Sequence, residues 1–293
     1  MSITAAQVKE LRSRTGSGMM ECKKALVESD GDIEVAVESM RKKGMAKADK
    51  KADRTAAEGL VSISMDDSGL SGAMIEINCE TDFVSRNEDF QAFAVGLSNQ
   101  ALGCADADLD AFMASNYAQE SLSVEDKRRE LIASIGENIS VRRFIKVSAP
   151  SRVGHYKHGE SIGVLVAMDG GDDALAKDIA MHVAASNPLC VDESNVPSEE
   201  LEKERRIFMA QAEESGKPQQ IIEKMVSGRV RKYLQEVTLL GQPFIKDPDV
   251  TVAKLLEKSK ASVVSFVRYQ VGEGIDKKVE DFAAEVQAQV ANA

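Results

Sequence analysis

The sequence is poor in aromatic residues: it contains no tryptophan, and aromatic side chains make up only 4% of its 293 residues. Its hydrophobic cores are therefore expected to consist mainly of isoleucine, leucine, valine, methionine and alanine. The cysteines are few, and none of them forms a C-x-x-C pair, which argues against a zinc ribbon or a redox motif. We interpret all four, Cys22, Cys79, Cys104 and Cys190, as reduced and mostly buried thiols of a cytoplasmic protein.

The sequence also lacks long apolar runs. No stretch reaches the length needed to cross a bilayer, and the N-terminus does not show the basic segment and apolar run of a secretory signal. The net charge of −11 makes general nucleic-acid binding unfavourable, because such binding depends on neutralising phosphates with lysine and arginine. We therefore expect a protein partner rather than nucleic acid or a membrane. A local basic segment at residues 45–54 is interpreted as a solvated linker or an exposed helix.

Sequence motifs of nucleotide binding and hydrolytic catalysis are missing. There is no G-x-x-x-x-G-K-[ST] loop, no G-x-G-x-x-G turn and no G-x-S-x-G elbow, so we expect no cofactor, no small-molecule substrate and no enzymatic reaction. One alternative is a three-histidine metal site, in which His155 and His158, beside a predicted hairpin turn, are joined by His182. The commoner interpretation is that these histidines are polar residues of a turn, of the surface or of the edge of a core.

The N-terminal 54 residues predict a module of three short helices. The second helix begins at about Met19, and its spacing predicts that Met19, Cys22 and Leu26 face inward. Asp32 is a suitable N-cap for the third helix, and Gly44 is expected to end it. Three helices in so short a segment predict a small bundle.

The rest of the chain predicts an α+β core made of two related halves. Each half reads as a β-hairpin, a helix, a further helical stretch and a last strand. We assign the first half to residues 55–148 and the second to residues 149–197 and 238–274. Residues 198–237 predict two helices joined by a tight turn, which must pack as an antiparallel coiled-coil hairpin inserted into the second half. Residues 275–293 predict a C-terminal amphipathic helix.

The connection between the first predicted hairpin and its helix contains two apolar residues, Phe83 and Val84, in otherwise polar surroundings. One interpretation is a hydrophobic staple, in which Phe83 folds back beneath the helix that contains Phe90. The other is a short probe that inserts into a partner protein. The pattern of these residues by itself leaves both interpretations open.

Several segments, in order along the whole chain, resemble the signatures of the elongation factor Ts family. The first is TGSGMMECKKAL at residues 15–26, and the second is NCETDFV at residues 78–84. Two further segments match: HVAAS at residues 182–186 and GQPF at residues 241–244. Glu80 stands where glutamine is often seen in the family, and it adds a negative charge to the second segment.

This resemblance implies an N-terminal three-helix module similar to ubiquitin-associated domains, a two-part α+β core, a coiled-coil insertion and a C-terminal helix. It also implies a function without bond chemistry: guanine-nucleotide exchange on the translation GTPase elongation factor Tu. By the same resemblance, the residues that bind beside the partner's Mg²⁺ site are Thr81, Asp82, Phe83 and Val84. In this assignment Phe83 is a wedge and Asp82 a polar element. An alternative is a binding module without exchange activity, in which the N-terminal bundle recognises a helix or a ubiquitin-like surface.

Overall fold

The structure is a computed structural model in which residues 3–105, 107–119 and 121–276 are described. It combines helices and β-sheets, which confirms the predicted α+β class. The helix predicted at residues 275–293 lies outside the described residues, apart from its first two positions. Within the described ranges, no helix has both the length and the apolar character needed to span a bilayer.

Three helices form the N-terminal bundle: α1 (Ala5–Thr15), α2 (Met19–Glu28) and α3 (Ile33–Asp49). The side chains of Thr4 and Asp32 accept hydrogen bonds from otherwise unpaired N–H groups at the starts of α1 and α3. The bundle core consists of small and apolar side chains: Val8, Leu11, Cys22, Ala25, Leu26 and Ala36. The predicted three-helix module is therefore confirmed.

The first half of the core is a three-stranded antiparallel sheet with helices on one face. Its strands are β1 (Glu58–Met65), β2 (Ser71–Cys79) and β3 (Ile139–Ser148), with β2 in the middle. Between β2 and β3 the chain forms α4 (Asp82–Ser85), α5 (Glu88–Leu102), α6 (Leu109–Ala114) and α7 (Val124–Ile135). These helices pack onto the sheet through an apolar cluster that contains Phe90 and Phe93 of α5.

The second half repeats this order. It begins with β4 (Arg152–His158), β5 (Ile162–Asp169) and α8 (Asp173–Ser186). An antiparallel helical hairpin follows, formed by α9 (Ser198–Glu213) and α10 (Gln219–Val237). The chain then returns through β6 (Pro243–Phe244), β7 (Asp247–Thr251), α11 (Val252–Lys258) and β8 (Ser262–Gln270). Strand β8 pairs with β5 as β3 pairs with β2, which confirms the predicted internal repeat.

Two details of the bundle differ from the sequence prediction. Gly44 does not end α3, which continues through part of the basic segment to Asp49. A Cβ at position 44 would lie 3.0 Å from the Cβ of Ala133 in α7, so glycine here permits the close approach of two helices. Met19 does not face inward but is 58% exposed, because it occupies the first position of α2, before the residues of this helix that enter the bundle core.

The two sheets pack face to face, and helices cover their outer faces, which gives the core four layers. Apolar side chains from both sheets fill the space between them, among them Val61 and Met74 from the first sheet and Leu165 from the second. Strand β2 has a sheet on one side and helices on the other, so all its residues from 72 to 79 are buried. Neither face of β2 is therefore open to solvent over these residues.

The carboxylate of Glu76, in β2, is fully buried. Its Oε1 lies 2.9 Å from Nη1 of Arg142, and its Oε2 lies 2.6 Å from Nε of Arg143. A β-bulge makes this arrangement possible, because the register between β2 and β3 shifts after Glu76 and leaves Arg142 as an extra residue in β3. Two consecutive arginines, which would leave opposite faces of a regular strand, can therefore reach one carboxylate.

The same carboxylate also reaches the second half of the core. Its Oε1 accepts the backbone N–H of Gly272, just after β8, at 2.9 Å. Gly272 has a φ of +70°, and a Cβ there would lie 2.3 Å from the carbonyl oxygen of Ala57, so the close approach requires glycine. The guanidinium group of Arg143 lies 4.1 Å from the ring centre of Tyr269 in β8. Glu76 therefore joins the two halves of the core.

We expect Glu76→Ala to lower the free energy of unfolding by about 3–5 kcal/mol, because it removes the buried carboxylate that compensates Arg142 and Arg143 and that accepts the buried N–H of Gly272. The midpoint of urea unfolding, followed by circular dichroism, measures this loss. Glu38→Ala is the matched control, since the pair of Glu38 with Lys42 is exposed and its removal should leave the midpoint nearly unchanged. Equal midpoints for the two variants would contradict the role given to Glu76.

Candidate functional site

The segment after β2, residues 81–84, presents an exposed aromatic ring, and we call it the probe. Thr81 is the N-cap residue of the single-turn helix α4. Phe83 is 78% exposed, whereas Val84 is only 7% exposed and belongs to the same apolar cluster as Phe90. The staple interpretation of Phe83 is therefore wrong, and its neighbour Val84 is the residue that packs into the core.

The backbone of Thr81 is held on both sides. Its N–H and its hydroxyl donate to the carboxylate of Glu137 over 2.9 and 2.7 Å. Its carbonyl oxygen accepts a hydrogen bond from the thiol of Cys79 at 3.1 Å. Burial, together with the nearby charge of Glu137, raises the pKa of Cys79 to about 12, so the thiol retains the proton that it donates. The probe therefore starts from a fixed residue.

A second carboxylate connects this region to the loop at residues 136–138. Oε1 of Glu80 accepts the backbone N–H of Asn138 at 2.6 Å, and its Oε2 lies 3.5 Å from Nη1 of Arg54. The side-chain amide of Asn138 donates in turn to the carbonyl oxygens of Ala52 and Arg54. This loop, the segment after α3 and the start of the probe are thus joined by polar contacts.

Sequence reasoning misses Glu137 and Asn138. Glu137 lies 56 positions after Thr81, and no motif or spacing rule connects the two residues. The signal that was available is weak: a polar pair directly after a predicted helix and before a buried strand. The fold brings this loop against the start of the probe, and a local pattern cannot report such a contact.

The carboxylate of Asp82 is exposed and pairs with Arg86 one helical turn later, with 2.9 Å between Oδ2 and Nη2. Such a surface pair contributes little to stability. The backbone carbonyl of Asp82 accepts from the hydroxyl of Ser85 at 2.7 Å, which helps to close the turn. The side chain of Asp82 is therefore accessible to a partner, while its backbone belongs to α4.

The alternative of a three-histidine metal site is contradicted by the structure. His155 and His158 both lie in β4, three positions apart, so their side chains leave opposite faces of the strand. His182 is fully buried in α8, and both of its ring nitrogens form hydrogen bonds, with Gln242 and with the N–H of Ile245. In the part of the chain that the structure describes, no group of three or more His, Cys, Asp or Glu residues is arranged to hold a metal ion.

His182 joins two of the segments that carry the family resemblance. Because Ile245 donates to Nδ1, the proton of the neutral ring is on Nε2, which donates to Oε1 of Gln242 at 2.9 Å. Burial lowers the pKa of His182, so the ring is neutral at pH 7. Gln242 also donates to the carbonyl oxygen of Glu236 at 2.7 Å. These bonds fix the loop after α10, where the side chain of Ile245 is exposed.

The N-terminal bundle carries a second group of exposed apolar side chains. Met19, Met20 and Val27 of α2, and Val35 of α3, are each more than half exposed. Methionine is flexible and adapts to irregular surfaces, so it is common at docking sites. These exposed apolar side chains are therefore available for contact with another protein.

Comparisons with known proteins agree with this picture. The family described as "Elongation factor TS" matches residues 80–273, which is more than half of the chain. The chain is 59% identical over 295 residues to elongation factor Ts of Thioalkalivibrio sulfidiphilus (strain HL-EbGR7), with 100% of each chain covered. It is 57% identical to elongation factor Ts of Methylococcus capsulatus and 56% identical to that of Halorhodospira halophila, with 99% of each chain covered.

The fold and the comparisons define an elongation factor of protein biosynthesis. More specifically, the chain belongs to the elongation factor Ts family. Membership of this family implies a nucleotide exchange factor for elongation factor Tu. The probe and the loop at residues 136–138 both lie within the matched region, whereas the N-terminal bundle precedes it.

We expect Phe83→Ala to leave the melting temperature of the free protein nearly unchanged, since an exposed ring contributes little to the fold. Val84→Ala, one position further on, is the matched control and is expected to lower the free energy of unfolding by about 2 kcal/mol, because it removes buried methyl groups. Thermal unfolding of the two variants beside the parent measures both effects. A larger loss for Phe83→Ala than for Val84→Ala would contradict the placement of these side chains.

Proposed function

We propose that this protein accelerates the release of GDP from elongation factor Tu, and that the probe disturbs the site at which the partner holds Mg²⁺ and phosphate. The observation that carries the proposal is the exposed ring of Phe83 on a segment whose backbone is fixed at Thr81. Aromatic side chains are enriched at protein interfaces. A ring held away from its own core is suited to enter a pocket of another protein.

Exchange of this kind requires no bond chemistry, in keeping with the expectation that the protein is not an enzyme. A GTPase holds GDP through a phosphate-binding loop and through a Mg²⁺ ion that contacts the phosphates. A protein that binds the nucleotide-free state more tightly than the GDP-bound state lowers the affinity for GDP by the same factor. The binding energy of the two proteins can therefore drive GDP release.

In this proposal the residues of the probe have distinct roles. Phe83 is the wedge that displaces side chains supporting the metal ion. Asp82 exchanges its exposed pair with Arg86 for contacts with the partner and disturbs the water shell of the metal. Thr81 and Val84 flank the wedge, and their contacts within the free protein hold it in place.

The N-terminal bundle supports the proposal as a second region of contact. Its exposed Met19 and Met20 offer an apolar surface, and the family resemblance implies that this module docks on the nucleotide-binding domain of the partner. The helix predicted at residues 275–293 and the second half of the core would extend the contact. Exchange would take place in the cytoplasm, where translation proceeds.

The exposed surface of the bundle also favours a second candidate, a binding module without exchange activity. In that case deletion of residues 1–44 would abolish every activity of the protein. Substitutions in the probe would then have no effect on the partner. The two candidates therefore differ in the part of the chain that controls GDP release.

Release of fluorescently labelled GDP from elongation factor Tu tests the proposal. We expect acceleration by orders of magnitude, and Phe83→Ala should slow the accelerated release roughly ten- to a hundredfold, since a buried aromatic hot spot contributes about 2 kcal/mol or more. Ile207→Ala, in which an exposed residue of α9 loses its apolar side chain, is the control and should match the parent. Release at the intrinsic rate, with a partner shown to be active, would contradict the proposal.

A further inference from the structure

The short helix of the probe cannot maintain its own conformation. α4 is a single turn, Asp82–Ser85, and an isolated turn is unstable in water because its nucleation fixes several residues for one hydrogen bond. The side chain of its N-cap residue, Thr81, makes no hydrogen bond to the turn. The exposed ring of Phe83 adds little packing. The probe therefore depends on residues outside it for its conformation.

Glu137 supplies two of the required contacts. Its Oε2 accepts the N–H of Thr81 at 2.9 Å, and its Oε1 accepts the hydroxyl of the same residue at 2.7 Å. Hydrogen bonds to an ionised acceptor are roughly twice as strong as those between neutral groups. The hydroxyl that would otherwise cap α4 is committed to this carboxylate, so Glu137 determines the orientation in which the turn begins.

The loop that carries Glu137 is fixed by its own contacts. The ammonium group of Lys51 donates to the carbonyl oxygen of Gly136. Asn138 donates its backbone N–H to Glu80 at 2.6 Å. The two glutamates thus form a reciprocal arrangement: Glu80, beside the probe, accepts an N–H from the loop, and Glu137, in the loop, accepts an N–H from the probe. Because hydrogen bonds run from the loop to the probe region and from the probe to the loop, neither segment can move away without breaking one of them.

We infer that Glu137 is a positioning residue for nucleotide exchange, which holds the probe in its inserting conformation before the partner binds. The inference rests on the proposed function of the probe. A segment that is ordered in advance loses less conformational entropy on binding, so preorganisation strengthens the complex. Glu137 acts in this way through Thr81 and need not touch the partner.

Hydrogen exchange in the free protein tests the positioning contact by itself. Glu137→Ala removes both acceptors, whereas Glu137→Gln is the conservative control, because its amide oxygen can accept the N–H of Thr81 and its amino group can donate to the hydroxyl oxygen. Exchange of the Thr81 amide, followed by NMR, is expected to rise about tenfold or more in Glu137→Ala and to rise less in Glu137→Gln, which keeps the two hydrogen bonds but not the ionised acceptor. Unchanged protection in Glu137→Ala would overturn the inference and leave the proposed function intact.

Release of labelled GDP from elongation factor Tu tests whether the contact matters for exchange. Glu137→Ala is expected to slow the stimulated release about tenfold, and Glu137→Gln is expected to slow it less, because its neutral amide keeps both hydrogen bonds in weaker form. In a Phe83→Ala background, Glu137→Ala should have a smaller effect than in the parent, because the wedge is absent and only Asp82 of the probe remains to be positioned. Thr81→Val deletes one of the two hydrogen bonds and keeps the side-chain shape, so it is expected to slow the stimulated release by a smaller factor. This variant replaces Glu137→Ala in the assay if Glu137→Ala does not fold.

Two outcomes of this assay would overturn the inference for different reasons. If the effects of Phe83→Ala and Glu137→Ala multiply, Glu137 acts apart from the probe, and the positioning role is wrong while the proposed function stands. If Phe83→Ala alone leaves stimulated release at the parental rate, the proposed function of the probe fails and the positioning role fails with it.

Discussion

The burial of Glu76 is the constraint on which the arrangement of the core depends. A carboxylate removed from water is stable only when cations and hydrogen-bond donors surround it, and here they come from β3, from the turn after β8 and from Asn78 of β2 itself. Both halves of the core must therefore be in place for the charge to be compensated. The strand that carries Glu76 ends at Cys79, two positions before Thr81. The interaction that joins the halves thus belongs to the same strand that leads into the probe.

Acidic side chains have a structural role throughout this region. Glu76, Glu80 and Glu137 each accept hydrogen bonds from backbone N–H groups that lie far away in the sequence. The two apolar residues of the probe that they support have different roles: Val84 packs into the core, and Phe83 remains exposed and available to another protein. The negative charge of the chain, which at first indicates only a preference for protein partners, therefore also serves to fix the candidate site.

The sequence predicts those parts of the fold that have local signals. Caps and helical spacing indicate the N-terminal bundle, and alternation and turn residues indicate both β-hairpins. The errors occur where the tertiary fold decides: Gly44 resembles a helix stop but serves the contact between α3 and α7. The candidate site could be located from its unusual apolar pair, and the family resemblance assigns the wedge to Phe83. The residue pattern alone leaves a buried Phe83 open, and the packing of Val84 into the core decides against it. The contact of Glu137 with Thr81 joins distant residues, so no local pattern predicts it.

The central claim is that the ring of Phe83 is exposed in the free protein and becomes buried in elongation factor Tu. Fluorine NMR of a protein with fluorophenylalanine at position 83 tests this claim most directly, because the resonance of an exposed ring shifts when H₂O is replaced by D₂O. We predict a solvent-sensitive resonance in the free protein that becomes insensitive when nucleotide-free partner is added and recovers with excess GDP and Mg²⁺. A resonance that is insensitive in the free protein, or that keeps its sensitivity at saturating partner, would contradict the claim.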